Sequence, residues 1–197
     1  FGVIKIVNLA HGEFLMLGMY GAFFLFSSLS ISPYLATLII FPLFMVLGHL
    51  VFRFIIKPLL GTHETEVNTI LVSSGLGFVL QNLALMLWSA DYRAIETAGT
   101  GKSINLGGVM LSSGRMSAFL ICVVICVALY FLLMHTRLGT QIRAVSQDAD
   151  AAILMGINVR RIYSLTFAAG IGLVGVAGCI ILPIFNVYPN VGTYFNT

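Results

Sequence analysis

Five apolar stretches, each long or nearly long enough to cross a bilayer, constrain this chain more than any other feature. They cover residues 14–29, 34–56, 69–89, 116–134 and 162–182. A helix needs about 20 apolar residues to cross the hydrocarbon core, where only structures that satisfy their own backbone hydrogen bonds are stable. The sequence therefore predicts an all-α, polytopic transmembrane bundle of about five spans, forming one domain over residues 1–197.

The charge content agrees with a membrane protein. Charged residues make up 9% of the chain, against roughly 25% in a soluble domain, and mean hydropathy is +1.03. The net charge of +3 is small, and the cations bracket the spans, which favours membrane loops over nucleic-acid binding. Because the chain begins at Phe1 and stops at Thr197, we expect a piece of a longer protein, incomplete at both ends.

Three cysteines all lie inside apolar stretches: Cys122, Cys126 and Cys179. Without histidine partners at a suitable spacing they make a poor metal site, and no metal ligand set is predicted. We expect them to be buried as small apolar residues.

The only long polar interval between two spans that has the pattern of an amphipathic helix is residues 137–161. This helix should run from an N-cap at Thr140 to Met155, end at Gly156, and be followed by a span capped by Asn158. Its apolar residues recur at helical spacing, and a charged face is opposite. The apolar set is Ile142, Val145, Ala149, Ala152 and Ile153; Arg143, Gln147 and Asp150 form the other face. A helix of this kind at the ends of spans suggests a docking site for a soluble partner.

Polar residues within the spans are candidates for a substrate path. Asn8, His11, Gly12 and Glu13 precede the first apolar stretch, and Gln81 and Asn82 lie near the middle of the third, where Ser74, Gly77 and Gln81 recur at helical spacing. Polar groups are costly in lipid, so they should face the protein interior or a water-filled cavity. The sequence leaves open whether they line a path or join helices by hydrogen bonds.

Small residues form a stripe along the fifth span. Ala168, Gly172, Gly175 and Cys179 follow one another at intervals of four, three and four residues. Such a stripe lets two helix backbones approach closely. It predicts a helix-packing face.

The loop at residues 91–115 is rich in Gly, Ser and Thr, and we interpret it as an external hairpin. Its Gly-Lys-Ser at 101–103 imitates a phosphate-binding loop, but Glu96 occupies the position of the required first glycine. Counting Lys and Arg in alternate loops gives seven on the side of residues 137–161 and three on the other. The positive-inside rule then places residues 137–161 in the cytoplasm and residues 91–115 outside.

Two motifs resemble the permeases of branched-chain amino acid ABC importers. The first is Val-Asn-Leu-Ala-His-Gly-Glu at residues 7–13, followed by Phe-Leu-Met-Leu-Gly. The second joins Leu138, Gly139, Arg143 and Ala144 to residues 148–158 and then to Leu-Thr-Phe at 165–167. The resemblance is to the smaller of the two paralogous permease subunits, and permeases for urea and short amides share these motifs.

The resemblance also implies how the chain would be coupled to ATP. Arg143, Asp150, Ala151, Ala152 and Gly156 look like the core of a coupling motif that contacts an ATPase, with Asp150 in place of the usual glutamate. The two alanines would allow close docking, and Gly156 would let the chain turn back.

By the same resemblance, the chain is a non-enzymatic subunit in a bacterial or archaeal inner membrane. Its partners would be a second permease subunit, two cytoplasmic ATPases that bind the ATP, and an external solute-binding protein; the chain itself would bind no cofactor. Two alternatives are an ion-coupled secondary transporter, which would show inverted repeats, and a membrane enzyme using His11 and Glu13. The exact amino acid or amide is left open.

Overall fold

The computed structural model describes residues 8–60, 65–95, 103–106 and 109–195. Seven α-helices occur in these ranges: α1 His11–Leu29, α2 Pro33–Val51, α3 Thr65–Trp88, α4 Ser113–His135, α5 Arg137–Gln147, α6 Ala149–Leu154 and α7 Val159–Ile181. A π-helical turn, Phe52–Ile56, and a 3-10 turn, Lys57–Leu59, extend α2, and a second 3-10 turn covers Val191–Phe195. Five helices are long and apolar enough to span a membrane. The predicted all-α transmembrane bundle is confirmed.

One short hairpin interrupts the helical pattern. Strands β1, Ser103–Leu106, and β2, Val109–Ser112, pair antiparallel, so the hairpin predicted in this loop is present. The lysine and glycines of the apparent phosphate-binding loop lie outside the described residues. Nearer α3, Arg93 and Val187 form an antiparallel bridge that joins the α3–α4 loop to the segment after α7.

The core forms where α7 packs between α1 and α2. A Cβ added at Gly18 of α1 would lie 2.6 Å from the carbonyl oxygen of Gly175 in α7, so the two backbones touch. On the side of α2, added Cβ atoms at Gly172 and Gly175 would overlap Phe41, Met45 and Phe44. Because lipid offers no hydrophobic force between helices, such close contacts supply the van der Waals energy of association.

The stripe of small residues therefore lies in the interface that joins α7 to both neighbours. Ala168 is buried beside Gly48 of α2, and the Cys179 thiol donates to Gly175 of its own helix at 3.3 Å. Gly178, which the stripe omitted, approaches α1 most closely: its added Cβ would lie 2.5 Å from the Leu15 carbonyl oxygen.

Helices α3 and α4 lie at the edge of this core, and few of their side chains are buried. Cys122 and Cys126 are exposed on α4, so the expectation that all three cysteines are buried is wrong for these two. Both cysteines lie on the outer face of α4. A small apolar side chain can remain exposed there because contact with lipid costs it little.

The single helix predicted from Thr140 to Met155 is wrong: α5 and α6 are separate helices that meet at Asp148. The Asp148 carboxylate accepts hydrogen bonds from the backbone amides of Asp150 and Ala151, which makes it the N-cap of α6. A short acidic side chain that binds nearby amides competes with continuous helix, and here it ends α5.

The ends of the segment differ from the prediction at one point only. Thr136, and not Thr140, caps α5 by accepting a hydrogen bond from Gly139 at 3.1 Å. Asn158 caps α7 through the amide of Arg161, as predicted. Gly156 follows α6 with a φ of +79°, a left-handed conformation that favours glycine, so the predicted stop is confirmed.

Candidate functional site

Glu13 is the only acidic side chain among the described residues that is buried, with 3% of its surface exposed. Its Cγ lies 3.6 Å from the position of a Cβ added at Gly77. Gly77 is at the middle of α3, whose 24 residues extend about 36 Å. Glu13 therefore lies beside the middle of a helix long and apolar enough to span a membrane, although it belongs to the first turn of α1.

A cavity of about 230 Å³ opens beside this carboxylate. Glu13 contributes from α1, and Ser74, Gly77, Phe78 and Gln81 contribute successive turns of one face of α3. Leu9 and Thr193 complete the lining. The cavity thus combines one carboxylate with hydroxyl and amide groups and with two apolar walls, which is the composition of a site for a small, partly apolar solute.

The segment after α7 forms one wall of the site at the level of Glu13. An added Cβ at Gly192 would lie 2.6 Å from Glu13 Oε2 and 2.7 Å from the carbonyl carbon of Gly12. Gln81 Nε2 donates to Asn190 Oδ1 at 2.9 Å, which ties the segment to α3. Non-helical backbone occurs at membrane depth only where it is buried in protein or lines a water-filled cavity.

The turn before α1 holds its first residues in place. The Leu9 amide donates to Ser73 Oγ on α3 at 3.0 Å, and the Ala10 amide donates to Asn8 Oδ1 at 3.0 Å. His11 Nδ1 lies 2.8 Å from the Asn8 carbonyl oxygen. Ala10 is the N-cap of α1 and supplies no side-chain cap, so the positive end of the α1 dipole is placed beside the cavity.

The structure divides the predicted path residues into three groups. Glu13 and Gln81 line the cavity, and Gly12 contacts the wall that Gly192 belongs to. Asn8 and His11 lie in the adjoining turn, where His11 is exposed. Asn82 is outside the cavity: it is exposed, and its amide donates to the Phe78 carbonyl oxygen of its own helix at 2.7 Å.

The sequence indicated some of the other residues around the cavity and missed the rest. Ser74 and Gly77 share the helical spacing of Gln81 and carried a signal, whereas Leu9 and Phe78 are ordinary apolar residues of a span. Thr193 and Asn190 belong to a polar, aromatic stretch with no periodicity, so no signal in the sequence places Thr193 in the cavity or Asn190 beside Gln81.

The proposed coupling residues lie at the end of the bundle where α4, α5 and α7 meet. Arg143, Asp150, Ala151 and Gly156 are exposed, as a docking surface requires. Ala152 is not: it is 4% exposed and packs with Val145, Val159 and Ile162 in a small local core. Its assignment to the docking face is therefore corrected, because it joins α6 to α5 and α7.

A more prominent exposed surface follows Ala152. Ile153, Leu154 and Met155 are 56%, 88% and 82% exposed, and they extend from the end of α6 beside Ala151. Large apolar side chains in a polar loop are typical of a protein contact.

No cluster of three or more His, Cys, Asp or Glu side chains that could hold a metal ion occurs in residues 8–60, 65–95, 103–106 and 109–195.

A family model described as "Branched-chain amino acid transport system / permease component" matches residues 1–197. No solved structure matches the chain.

Curated relatives include three permease proteins of similar description. The high-affinity branched-chain amino acid transport system permease protein BraD of Pseudomonas aeruginosa is 26% identical over 92% of this chain and 62% of its own length. LivH of Escherichia coli K12 is 23% identical over 95% of this chain and 64% of its own length. A probable LivH of Methanocaldococcus jannaschii is 22% identical over 95% of this chain and 60% of its own length. The chain thus spans less than two thirds of the length of these relatives.

Proposed function

We propose, because this chain belongs to the family of branched-chain amino acid transport system permease components, that it forms part of the substrate path of an ABC importer. The importer would carry branched-chain or other hydrophobic amino acids across the inner membrane. ATP would be hydrolysed on a partner subunit, and this chain would not be an enzyme.

The observation that carries the proposal is the position of the cavity at Glu13. Its carboxylate and amide lie beside the middle part of α3, a helix long and apolar enough to span the membrane, and each polar group costs a few kcal/mol if it faces lipid at that depth. The adjoining non-helical segment at Gly192 has the same need for a polar or protein-lined environment. The polar groups and the non-helical segment are both explained if the cavity is part of the path that a polar solute takes through the protein.

Coupling to the ATPase is proposed to occur through α5 and α6. Their outer surface combines exposed Arg143 and Asp150 with the apolar side chains of Leu154 and Met155. A groove on a cytoplasmic ATPase would receive the apolar end of α6, and Val145 and Ala152 would transmit the contact to α7 through their shared core.

The complete importer is proposed to contain further subunits. A second permease subunit, either a paralogue or a copy, would complete the path, with two cytoplasmic ATPases on the side of α5 and α6. A solute-binding protein would deliver the substrate at the opposite end, near the β1–β2 hairpin.

Uptake into vesicles tests this function. The full-length protein would be reconstituted with its ATPases and solute-binding protein, with ATP inside or outside the vesicles and with leucine, isoleucine or urea as labelled solute. We expect leucine and isoleucine uptake only when ATP is on the ATPase side. A variant with an inactive ATPase is the control.

Three results would contradict the proposal. Uptake driven by a proton or sodium gradient without ATP would identify a secondary transporter. Preference for urea or a short amide over leucine would move the chain to the amide branch of the family. Chemical conversion of a solute by this subunit alone would identify an enzyme.

A further inference from the structure

Glu13 is an acidic side chain buried inside the bundle. It is 97% buried, and its Oε2 atom has no hydrogen-bond partner among the described residues. The arginines of this part of the chain lie elsewhere: Arg93, for example, donates to the Trp88 carbonyl oxygen and lies over Phe23 and Phe24. A buried carboxylate that has no positive partner among the described residues is costly. A cationic group on the transported solute would remove this cost.

The cavity leaves room for that partner. Glu13 is part of its lining, and the other polar groups there are the hydroxyls of Ser74 and Thr193 and the amide of Gln81, none of which carries charge. Of the groups in the described part of the chain, Glu13 is therefore the single acidic group that a cation entering the cavity would meet.

The start of α1 supplies the opposite polarity within one turn of Glu13. Ala10 provides no side-chain cap, and the N-terminal end of a helix carries about half a positive charge, which attracts carboxylates. Leu9, at the same turn, and Phe78, on α3, provide the apolar walls. A negative group, a positive helix end and an apolar wall are together complementary to an amino-acid zwitterion with an aliphatic side chain.

We propose that Glu13 is the counter-ion for the α-ammonium group of the transported solute, so that this cavity selects solutes that carry a free amine. The proposal rests on the proposed transport function and adds to it a residue that determines specificity. In this arrangement the solute's carboxylate lies toward the start of α1, and its side chain lies against Leu9 and Phe78.

Solute binding measured without the solute-binding protein tests this role of Glu13. The selectivity that is measured then belongs to the permease and not to the solute-binding protein. Labelled leucine would be bound to the full-length permease–ATPase complex in nanodiscs. Two competitors would be used: leucinamide, which keeps the amine and lacks the carboxylate, and 4-methylpentanoate, which keeps the carboxylate and lacks the amine.

We expect leucinamide to compete at least about 100-fold better than 4-methylpentanoate, since a site built for a polar group rejects analogues that lack it. In Glu13→Gln the difference should fall below about tenfold, whereas Glu13→Asp, which keeps the charge, should retain it. The matched control is Glu66→Gln, because Glu66 is an exposed glutamate of α3 outside the cavity.

Equal competition by the two analogues in the wild-type complex would overturn the role of Glu13, and this measurement does not depend on how any variant folds. Full discrimination in Glu13→Gln would overturn it as well. Leucine uptake by the complete importer would in both cases leave the proposed function standing. Absence of leucine uptake by that importer would overturn the proposed function and this inference together.

Discussion

The contact between α1 and α7 depends on residues that have no side chain. Gly18 and Gly175 touch across the interface, and Gly178 lies against the backbone of Leu15 and Met19. Backbone atoms cannot move aside as a flexible side chain can, so these positions tolerate little added volume. This packing also fixes the position of Glu13, two residues before Leu15 on α1.

Gly178→Ala should destabilise the protein, because its Cβ would lie 2.5 Å from the Leu15 carbonyl oxygen. Overpacking of this kind typically costs about 1–3 kcal/mol, which outweighs the gain of up to about 1 kcal/mol in helix propensity. The matched control is Gly170→Ala on the same helix, where an added Cβ has nothing within 4 Å.

Thermal unfolding of the two variants in the same detergent would measure the difference. We expect a lower midpoint for Gly178→Ala and an unchanged or slightly higher one for Gly170→Ala. Equal midpoints would show that the α1–α7 contact is looser than described.

The sequence predicted this interface in part. Ala168, Gly172, Gly175 and Cys179 recur at helical spacing and were identified as a packing stripe, and all four lie in the interface of α7. Gly178 was left out of the stripe because it immediately precedes Cys179, and consecutive residues lie on adjacent rows of a helix surface. A stripe of small residues shows which side of a helix packs. Which neighbouring helix approaches each row depends on the angles at which the helices cross, and a single sequence does not give those angles.

At the scale of elements, α6 is a short helix that tertiary contacts and one cap maintain. Six residues are too few for stability on their own. Asp148 caps its start, and Ala152 anchors it to Val145 and Ile162. The helix thus projects Leu154 and Met155 from a fixed base.

Asp148→Ala should loosen α6, since loss of an N-cap typically costs about 1 kcal/mol. We expect faster amide hydrogen exchange at residues 149–154 and, if α6 contacts the ATPase, weaker ATP-driven uptake with normal insertion. Asp148→Asn keeps an acceptor oxygen and is the control.

The two variants separate the cap from the charge. Equal exchange in Asp148→Ala and Asp148→Asn would show that the cap does not maintain α6. Faster exchange in Asp148→Ala with unchanged uptake would show that α6 is not the coupling element.

Elements with a long apolar signal were predicted well, and short elements were not. The five spans follow from length and hydropathy, and the structure contains all five. The break at Asp148 and the 3-10 turn Val191–Phe195 depend on individual hydrogen bonds and on a neighbouring helix. For the same reason the sequence identified Glu13 and Gln81 as path residues but could not supply Thr193.

At the scale of the whole molecule, contacts place the ends of the spans in two groups. Helices α5 and α6 pack at one end, where α4 ends and α7 begins. The Arg93–Val187 bridge lies at the other end, after α3 and α7 have both crossed. The excess of Lys and Arg favours a cytoplasmic position for α5 and α6. Between these two ends, the cavity at Glu13 lies near the middle of α3.

The central claim is that this cavity is a water-filled part of the substrate path, and cysteine accessibility tests it most directly. Ser74→Cys and Gly75→Cys would be made in the full-length protein with Cys122, Cys126 and Cys179 replaced by serine or alanine. Ser74 lines the cavity, whereas Gly75, the next residue of α3, is exposed with nothing near an added Cβ.

A small, charged thiol reagent would be applied to the assembled importer in vesicles. We expect it to modify Ser74→Cys and to be slowed by leucine, with little modification of Gly75→Cys. Modification of Gly75→Cys but not Ser74→Cys, or modification of Ser74→Cys that leucine does not slow, would contradict the account.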